Sequence, residues 1–199
     1  CSIQSTIVIV INPLPVITNS PTTSICSETS TNISLTATLP STFSWTIGAI
    51  TGGIIGATDD TGPVINQVLT NPSNSSSGTV EYVITPISIN GSCIGPSFTI
   101  KVTVKPLPIL TSSLGPFSFC AGQQFTYTPT SSINPTDFTW NRPAFAGNAA
   151  NSGSGTISEV LSNNTGNPAG SSYTYTLSAD GCTNPIPSHI SIVVIPSPN

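Results

Sequence analysis

The 199-residue sequence carries seven acidic and three basic side chains, a net charge of −4, and only 5% charged residues, against roughly a quarter in ordinary soluble proteins. The scarcity of bases excludes a nucleic-acid interface and a polybasic membrane contact. No apolar run approaches the roughly 18 residues of a spanning helix; the longest, residues 7–11, is strand-sized. Disordered chains are poor in β-branched residues, whereas Ile, Val and Thr recur here between 19 Pro and 16 Gly. That composition predicts short β-strands joined by turns.

The chain opens on CSIQSTIVIVINPLP, a cysteine and an apolar strand stopped by Pro-x-Pro. The same ending recurs at residues 92–108 and 182–198, with cysteine-to-proline spacings of 12, 13 and 14 residues (Cys1–Pro13, Cys93–Pro106, Cys182–Pro196). Proline fixes φ and cannot donate to a ladder, so each Pro-x-Pro ends its strand and stiffens the connection. The chain therefore reads as a piece of a tandem array. Residues 1–15 are expected to be the last strand and linker of a truncated repeat, 16–108 repeat one, and 109–199 repeat two. Cys1-Ser2-Ile3 lacks the basic and apolar regions of a signal peptide. Because Cys1 falls in mid-repeat, the natural start is expected elsewhere.

The two repeats share landmarks in one order. Cys26 and Cys120 precede predicted strands at 32–39 and 124–129. Then come Phe43-Ser44-Trp45 and Phe138-Thr139-Trp140, followed by Gly/Asn/Ala-rich stretches at 48–62 and 146–155. Ile-x-x-Val-Leu-[Ser/Thr]-Asn follows at 65–71 and 157–163. Tyrosine-centred strands at 79–85 and 172–178 match Tyr82 with Tyr175. In the closing strand of repeat one, Phe98, Ile100, Val102 and Val104 alternate with Thr99, Lys101, Thr103 and Lys105. Solenoid units run at 20–50 residues, whereas about 90 residues can bury a core of their own. The expected fold is all-β: tandem immunoglobulin-like antiparallel β-sandwiches of about seven strands each. Phe43, Trp45 and Tyr82 should lie in one core, and Phe138, Trp140 and Tyr175 in the other.

Five cysteines in so uncharged a chain imply an oxidising, extracytoplasmic setting. The favoured bridges are within repeats, Cys26–Cys93 and Cys120–Cys182, each worth ~4 kcal/mol by loop closure, with Cys1 bonding outside the fragment. A geometric objection keeps a second pattern open. An immunoglobulin-like strand order puts the two cysteines of a repeat at opposite poles, ~23 Å apart along a seven-residue strand, whereas bridged Cα atoms lie ~5.5 Å apart. The alternative joins the first cysteine of one repeat to the second of the next, here Cys26–Cys182.

Catalysis needs clustered titratable groups, and no acidic pair recurs in both repeats. His189 alternates outward on a closing strand. Asp59-Asp60, an oxygen-rich pair that could suit Ca²⁺, faces Asn148-Ala149 in repeat two and is read as a turn. Lys101 and Lys105 alternate outward against Ser191 and Ile195, which argues against an isopeptide crosslink. No enzyme, cofactor or metal is expected. Partners are expected to be neighbouring repeats, with surface polysaccharide on the Gly/Asn-rich loops or other filament chains as alternatives. Donor-strand assembly through residues 1–12 is a further route to a filament. The outward positions Val8, Val10, Val193 and Ile195 are apolar where repeat one has Thr103 and Lys105, and exposed apolar strands invite lateral pairing.

The Ile25-Cys26-Ser27 start, the Phe-x-Trp, the Tyr82 strand and the closing Cys93…Ile-x-Val-x-Val-x-Pro-x-Pro resemble the PKD-like repeats of very large Bacteroidetes surface proteins. The match covers essentially the whole chain. Thr46-Ile47-Gly48 and Asn141-Arg142-Pro143 follow the tryptophans in place of the W-x-F-G-D-G signature of PKD domains proper. The resemblance implies a stalk or filament module at the cell surface, in adhesins of the gliding-motility, type IX-secreted kind.

Overall fold

The structure, a computed structural model, describes residues 11–197 together with Gln4 and Ile7. Cys1, Val8, Val10 and most of the expected leading strand lie outside the described residues. The chain divides into two compact units, Cys1–Pro72 with Ser77–Val104, and Ser73–Ser76 with Lys105–Asn199. Both are all-β, with no helix among the described residues.

The first unit holds β1 (Thr22–Cys26), β2 (Thr29–Ser30), β3 (Ile33–Ser34), β4 (Ser41–Thr51), β5 (Asp60–Thr61), β6 (Val64–Ile65), β7 (Val68–Leu69), β8 (Gly78–Ser88) and β9 (Phe98–Lys105). One sheet runs β1-β9-β8-β4-β5, and the ladders β2-β7 and β3-β6 form the facing layer. These ladders share one register, Thr29 opposite Leu69 and Ile33 opposite Ile65. They are interrupted at Asn32, whose φ is 46°. Thr31 spans the gap with its side chain, donating to Ile65 O at 2.7 Å and accepting from Gln67 N at 3.1 Å.

The second unit holds β10 (Phe117–Cys120), β11 (Gln124–Tyr127), β12 (Asp137–Arg142), β13 (Asn151–Ser154), β14 (Ile157–Val160), β15 (Ala169–Ala179), β16 (Cys182–Thr183) and β17 (Ser188–Ile195). Its large sheet runs β10-β17-β15-β12-β13 with β16 on β15, and β11-β14 faces it. The pairing is antiparallel except between β10 and β17, which run parallel. Each unit is thus an immunoglobulin-like sandwich.

Alternation drives the burial. Along β8 every second residue from Gly78 to Ser88 is buried, and on β9 Ile100, Val102 and Val104 are buried between more exposed neighbours. With Trp45, Ile65, Leu69, Tyr82 and Ile84 they form the first core; Ile157, Tyr173, Tyr175, Ile190, Ile192 and Val194 centre the second. Fully burying one such aliphatic side chain contributes ~1.5–3 kcal/mol.

Three local expectations are corrected. The strand expected at 32–39 is reduced to Ile33–Ser34, because beyond it Thr36 O accepts Thr18 N and Thr38 N donates to Val16 O, turning the chain to another partner. Residues 48–51, expected as loop, continue β4 through an irregularity between Ile47 and Ile50. The cysteine-bearing segments are themselves strands, β1 and β10, and they cover the flanks of β9 and β17. The closing strands are therefore interior to their sheets, so edge-on pairing there is already taken. Ile195 remains 40% exposed.

Candidate functional site

Cys26 ends β1, Cys120 ends β10 and Cys182 opens β16. Cys26 and Cys182 are disulfide-bonded, whereas Cys93 and Cys120 carry free thiols. The within-repeat bridges Cys26–Cys93 and Cys120–Cys182 are therefore not formed, and register explains why. Cys120 lies beside Ile195, the last residue of β17. Cys182 pairs with Ala179, ahead of the start of β17 at Ser188. An eight-residue strand separates the two by ~26 Å, far beyond the ~5.5 Å a bridge spans. Cys1 lies outside the described residues.

The tryptophans are buried, Trp45 3% and Trp140 8% exposed, so neither offers a stacking face for a sugar. Trp45 Nε1 donates to Thr58 O at 3.1 Å. Phe43 is buried beside it, and Phe138 packs edge-on against Tyr175, centroids 6.3 Å apart. Tyr82 and Tyr175 are fully buried, but they are not counterparts. Trp45 pairs with Ile84 and Ile47 with Tyr82, while Trp140 pairs with Tyr175; Tyr82 faces Ile100 and Tyr173 faces Ile190. The structural partner of Tyr82 is Tyr173. A shift of two residues keeps every side chain on its face, so the slip leaves the alternation intact.

That correspondence exposes a position the sequence reading missed. Tyr82 Oη donates to Gln67 Oε1 at 2.9 Å, and Tyr173 Oη donates to Glu159, two residues after the landmark isoleucine in each repeat. In the first unit Gln67 closes a neutral network, with Nε2 donating to Thr58 O at 2.8 Å and Thr58 N donating back to Oε1 at 3.1 Å. In the second unit Arg142 stands where Ile47 stands in the first. Its Nε and Nη2 fork onto the two Glu159 oxygens, both at 3.1 Å. Nη1 and Nη2 also donate to Pro143 O and Ala149 O, and the guanidinium lies over the Phe145 and Tyr173 rings. Burial pushes the Glu159 carboxyl up, but hydrogen bonds from Arg142, Tyr173 and Asn151 outweigh it and hold it below its ordinary value. Burial raises the Tyr82 hydroxyl to about 12 and the Tyr173 and Tyr175 hydroxyls further. These groups brace the layers and do not approach a nucleophile. The signal that could have found them was a polar residue inside an otherwise apolar landmark.

The last landmark residue was missed likewise. Asn71 and Asn163 are buried, and each amide donates to a closing-strand carbonyl, Val104 O at 2.9 Å and Val194 O at 2.7 Å. Each ties the small layer to the large sheet.

The Gly/Asn-rich loops spend their polar side chains on themselves. Asp59 Oδ1 accepts Ile47 N at 2.7 Å, just ahead of the start of β5 at Asp60, and Asp60 Oδ1 accepts Thr61 N at 2.8 Å. Asn148 Nδ2 donates to Ser162 O at 2.7 Å, and its Oδ1 accepts Ser162 N at 2.9 Å. Among the described residues no group of three His, Cys, Asp or Glu side chains is placed to hold a metal ion. His189 is exposed and meets Thr174 Oγ1 at 3.2 Å. An open depression of about 1010 Å³ lies at the pole of the second unit, lined among others by Gly122, Asn164 and Pro196.

A model of the PKD-like domain matches residues 23–108. No curated protein matches the sequence. Similar solved structures include DIP-gamma IG1+IG2, 12% identical, covering 94% of this chain and 99% of that one with a TM-score of 0.41. Mouse cadherin-23 EC22-24 is 13% identical, covering 94% and 67%, with a TM-score of 0.41. The fibronectin(III)-like modules of Clostridium thermocellum CbhA are 12% identical, covering 92% and 95%, with a TM-score of 0.31. The fold assignment rests on the strand pairing above. Domains of the PKD-like and immunoglobulin-like type are typically non-catalytic structural modules.

Proposed function

We propose that the chain is a stalk segment of a very large extracellular surface protein, an adhesin of the gliding-motility, type IX-secreted kind, in which PKD-like repeats follow one another and act as spacers. Repeat one spans residues 16–108 and repeat two 109–199. The observation that carries this reading is the recurrence, in two units, of one sandwich with the same core positions and the same Asn71/Asn163 tie. The oxidised Cys26 and Cys182 support a setting outside the cytoplasm.

Cys26 and Cys182 are bonded to each other in this reading, first cysteine to the next repeat's second. The free thiols of Cys93 and Cys120 support this pairing over the within-repeat one. The bond forms when two thiols pass two electrons and two protons to an external disulfide. A peptide map under non-reducing conditions is the test. A peptide pair joining Cys26 to Cys182 is expected, and Cys26 joined to any other cysteine would sink the array. Polysaccharide binding by the loops at 48–62 and 146–155 is not favoured, because their Asp and Asn side chains are already engaged.

A further inference from the structure

The chain has three basic residues, Lys101, Lys105 and Arg142, and the bond after each is closed to hydrolysis in its own way. Lys105 ends β9 and is followed by Pro106; Arg142 ends β12 and is followed by Pro143. A serine protease expels the residue after the cut as an amine that takes its proton from the catalytic histidine. In proline the ring replaces the hydrogen of that nitrogen and crowds the residue before it, so the bond does not settle into the cleft. Proline is 19 of 199 residues, about one position in ten, yet it follows two of the three bases. Those two bonds are refractory whether the chain is folded or not.

Folding closes what the sequence leaves open. Arg142 keeps 2% of its side chain exposed, and its guanidinium is engaged by Glu159, Pro143 O and Ala149 O, so it cannot enter a specificity pocket. Lys101 has an exposed side chain and no proline after it. Its backbone supplies the protection. β9 lies between β1 and β8, Lys101 stands opposite Glu81, and Lys101 N donates to Pro21 O at 2.9 Å. Val102, across the bond, is 0% exposed. An extended segment is recognised by pairing along its edge, and both edges of β9 are already paired. Cleavage there waits until β9 leaves the core of the first unit, and its rate follows the population of that opened state.

We infer that the chain is built to withstand proteases of the trypsin type, those that seat a Lys or Arg side chain in an acidic pocket. Nicking ordinarily begins at exposed turns. Residues 74–77, 89–92 and 164–168 are exposed throughout and hold no basic residue. In a spacer outside the cell a single cut would release everything beyond it, which gives the placement its use.

The full chain is treated with trypsin when folded, and again in enough urea to unfold it, with a denatured control substrate showing that the protease still works. The folded chain should stay whole. The unfolded chain should be cut once, between Lys101 and Val102. Pro106→Ala and Pro143→Ala should each add one cut to the unfolded chain, and folded Pro143→Ala should survive because Arg142 stays buried. Asn164→Lys places a lysine in an exposed turn; with its unfolding transition unchanged, it should be cut while folded. Cleavage of the unchanged folded chain after any basic residue, or of the unfolded chain after Lys105 or Arg142, overturns the inference. Survival of folded Asn164→Lys overturns it too, since the placement of the bases would then protect nothing. These outcomes are independent of the cysteine map that tests the array.

Discussion

Arg142 and Glu159 are the residues at which the repeats part company, and the first unit serves as their control. Removing one partner of a buried ion pair leaves an uncompensated charge and costs about 3–5 kcal/mol; Arg142 has 2% of its side chain exposed and Glu159 12%. Glu159→Gln or Arg142→Ile alone should each lower the denaturant midpoint of the second unit on that scale. The double change reproduces the Ile47/Gln67 arrangement, so its cost should be well below the sum of the two. Additivity in that double-mutant cycle would count against the correspondence. The pH dependence has a fixed sign. The folded Glu159 carboxyl is held below its ordinary value of 4.5, so its stabilisation is present above that value and is lost as pH falls through the folded one. Melting of the second unit should shift downward on acidification below about pH 4.5, and Glu159→Gln should flatten that limb.

At the scale of elements, both units depend on ties between their layers. Asn71→Ala or Asn163→Ala leaves a buried carbonyl without its donor, a loss of about 1–3 kcal/mol, readable as a lowered melting temperature of the unit concerned. Gly153 lies against Trp140 so closely that an added Cβ would fall 2.6 Å from Cζ2. Gly153→Ala should therefore cost about 1–3 kcal/mol by overpacking and alter the tryptophan emission; an unchanged spectrum and stability would refute the contact. The elements legible in the sequence were those with long alternation, β8, β9, β15 and β17, where one residue in two must enter the core. The short strands β1 and β10 were not legible, because a flanking strand of four or five residues is specified by the partner it lies beside. The Tyr82 match failed for a related reason: period two cannot distinguish a register from the same register moved by two. Glu159 and Asn163 hid because recurrence was read through apolar residues, while the polar members of the landmark join the layers.

For the whole molecule, the location of the bond separates two kinds of stabilisation. A bridge within a repeat would constrain the unfolded chain by ~4 kcal/mol, and its reduction would lower that unit's melting temperature by several degrees. The proposed Cys26–Cys182 bond would close a longer loop that takes in parts of both repeats, and so would constrain the unfolded chain at least as much. Reduction by dithiothreitol should therefore lower the melting of both units; a fall confined to one unit would contradict the proposed pairing. The parallel pairing of β10 with β17 has a consequence of another kind. Phe117 lies beside Ile192 and Cys120 beside Ile195, so the first and last strands of the large sheet point the same way. Tension applied at the two ends of that repeat pulls these strands in opposite directions along their length. The ladder is then loaded in shear, all its hydrogen bonds at once, whereas an antiparallel terminal pair would unzip one bond at a time.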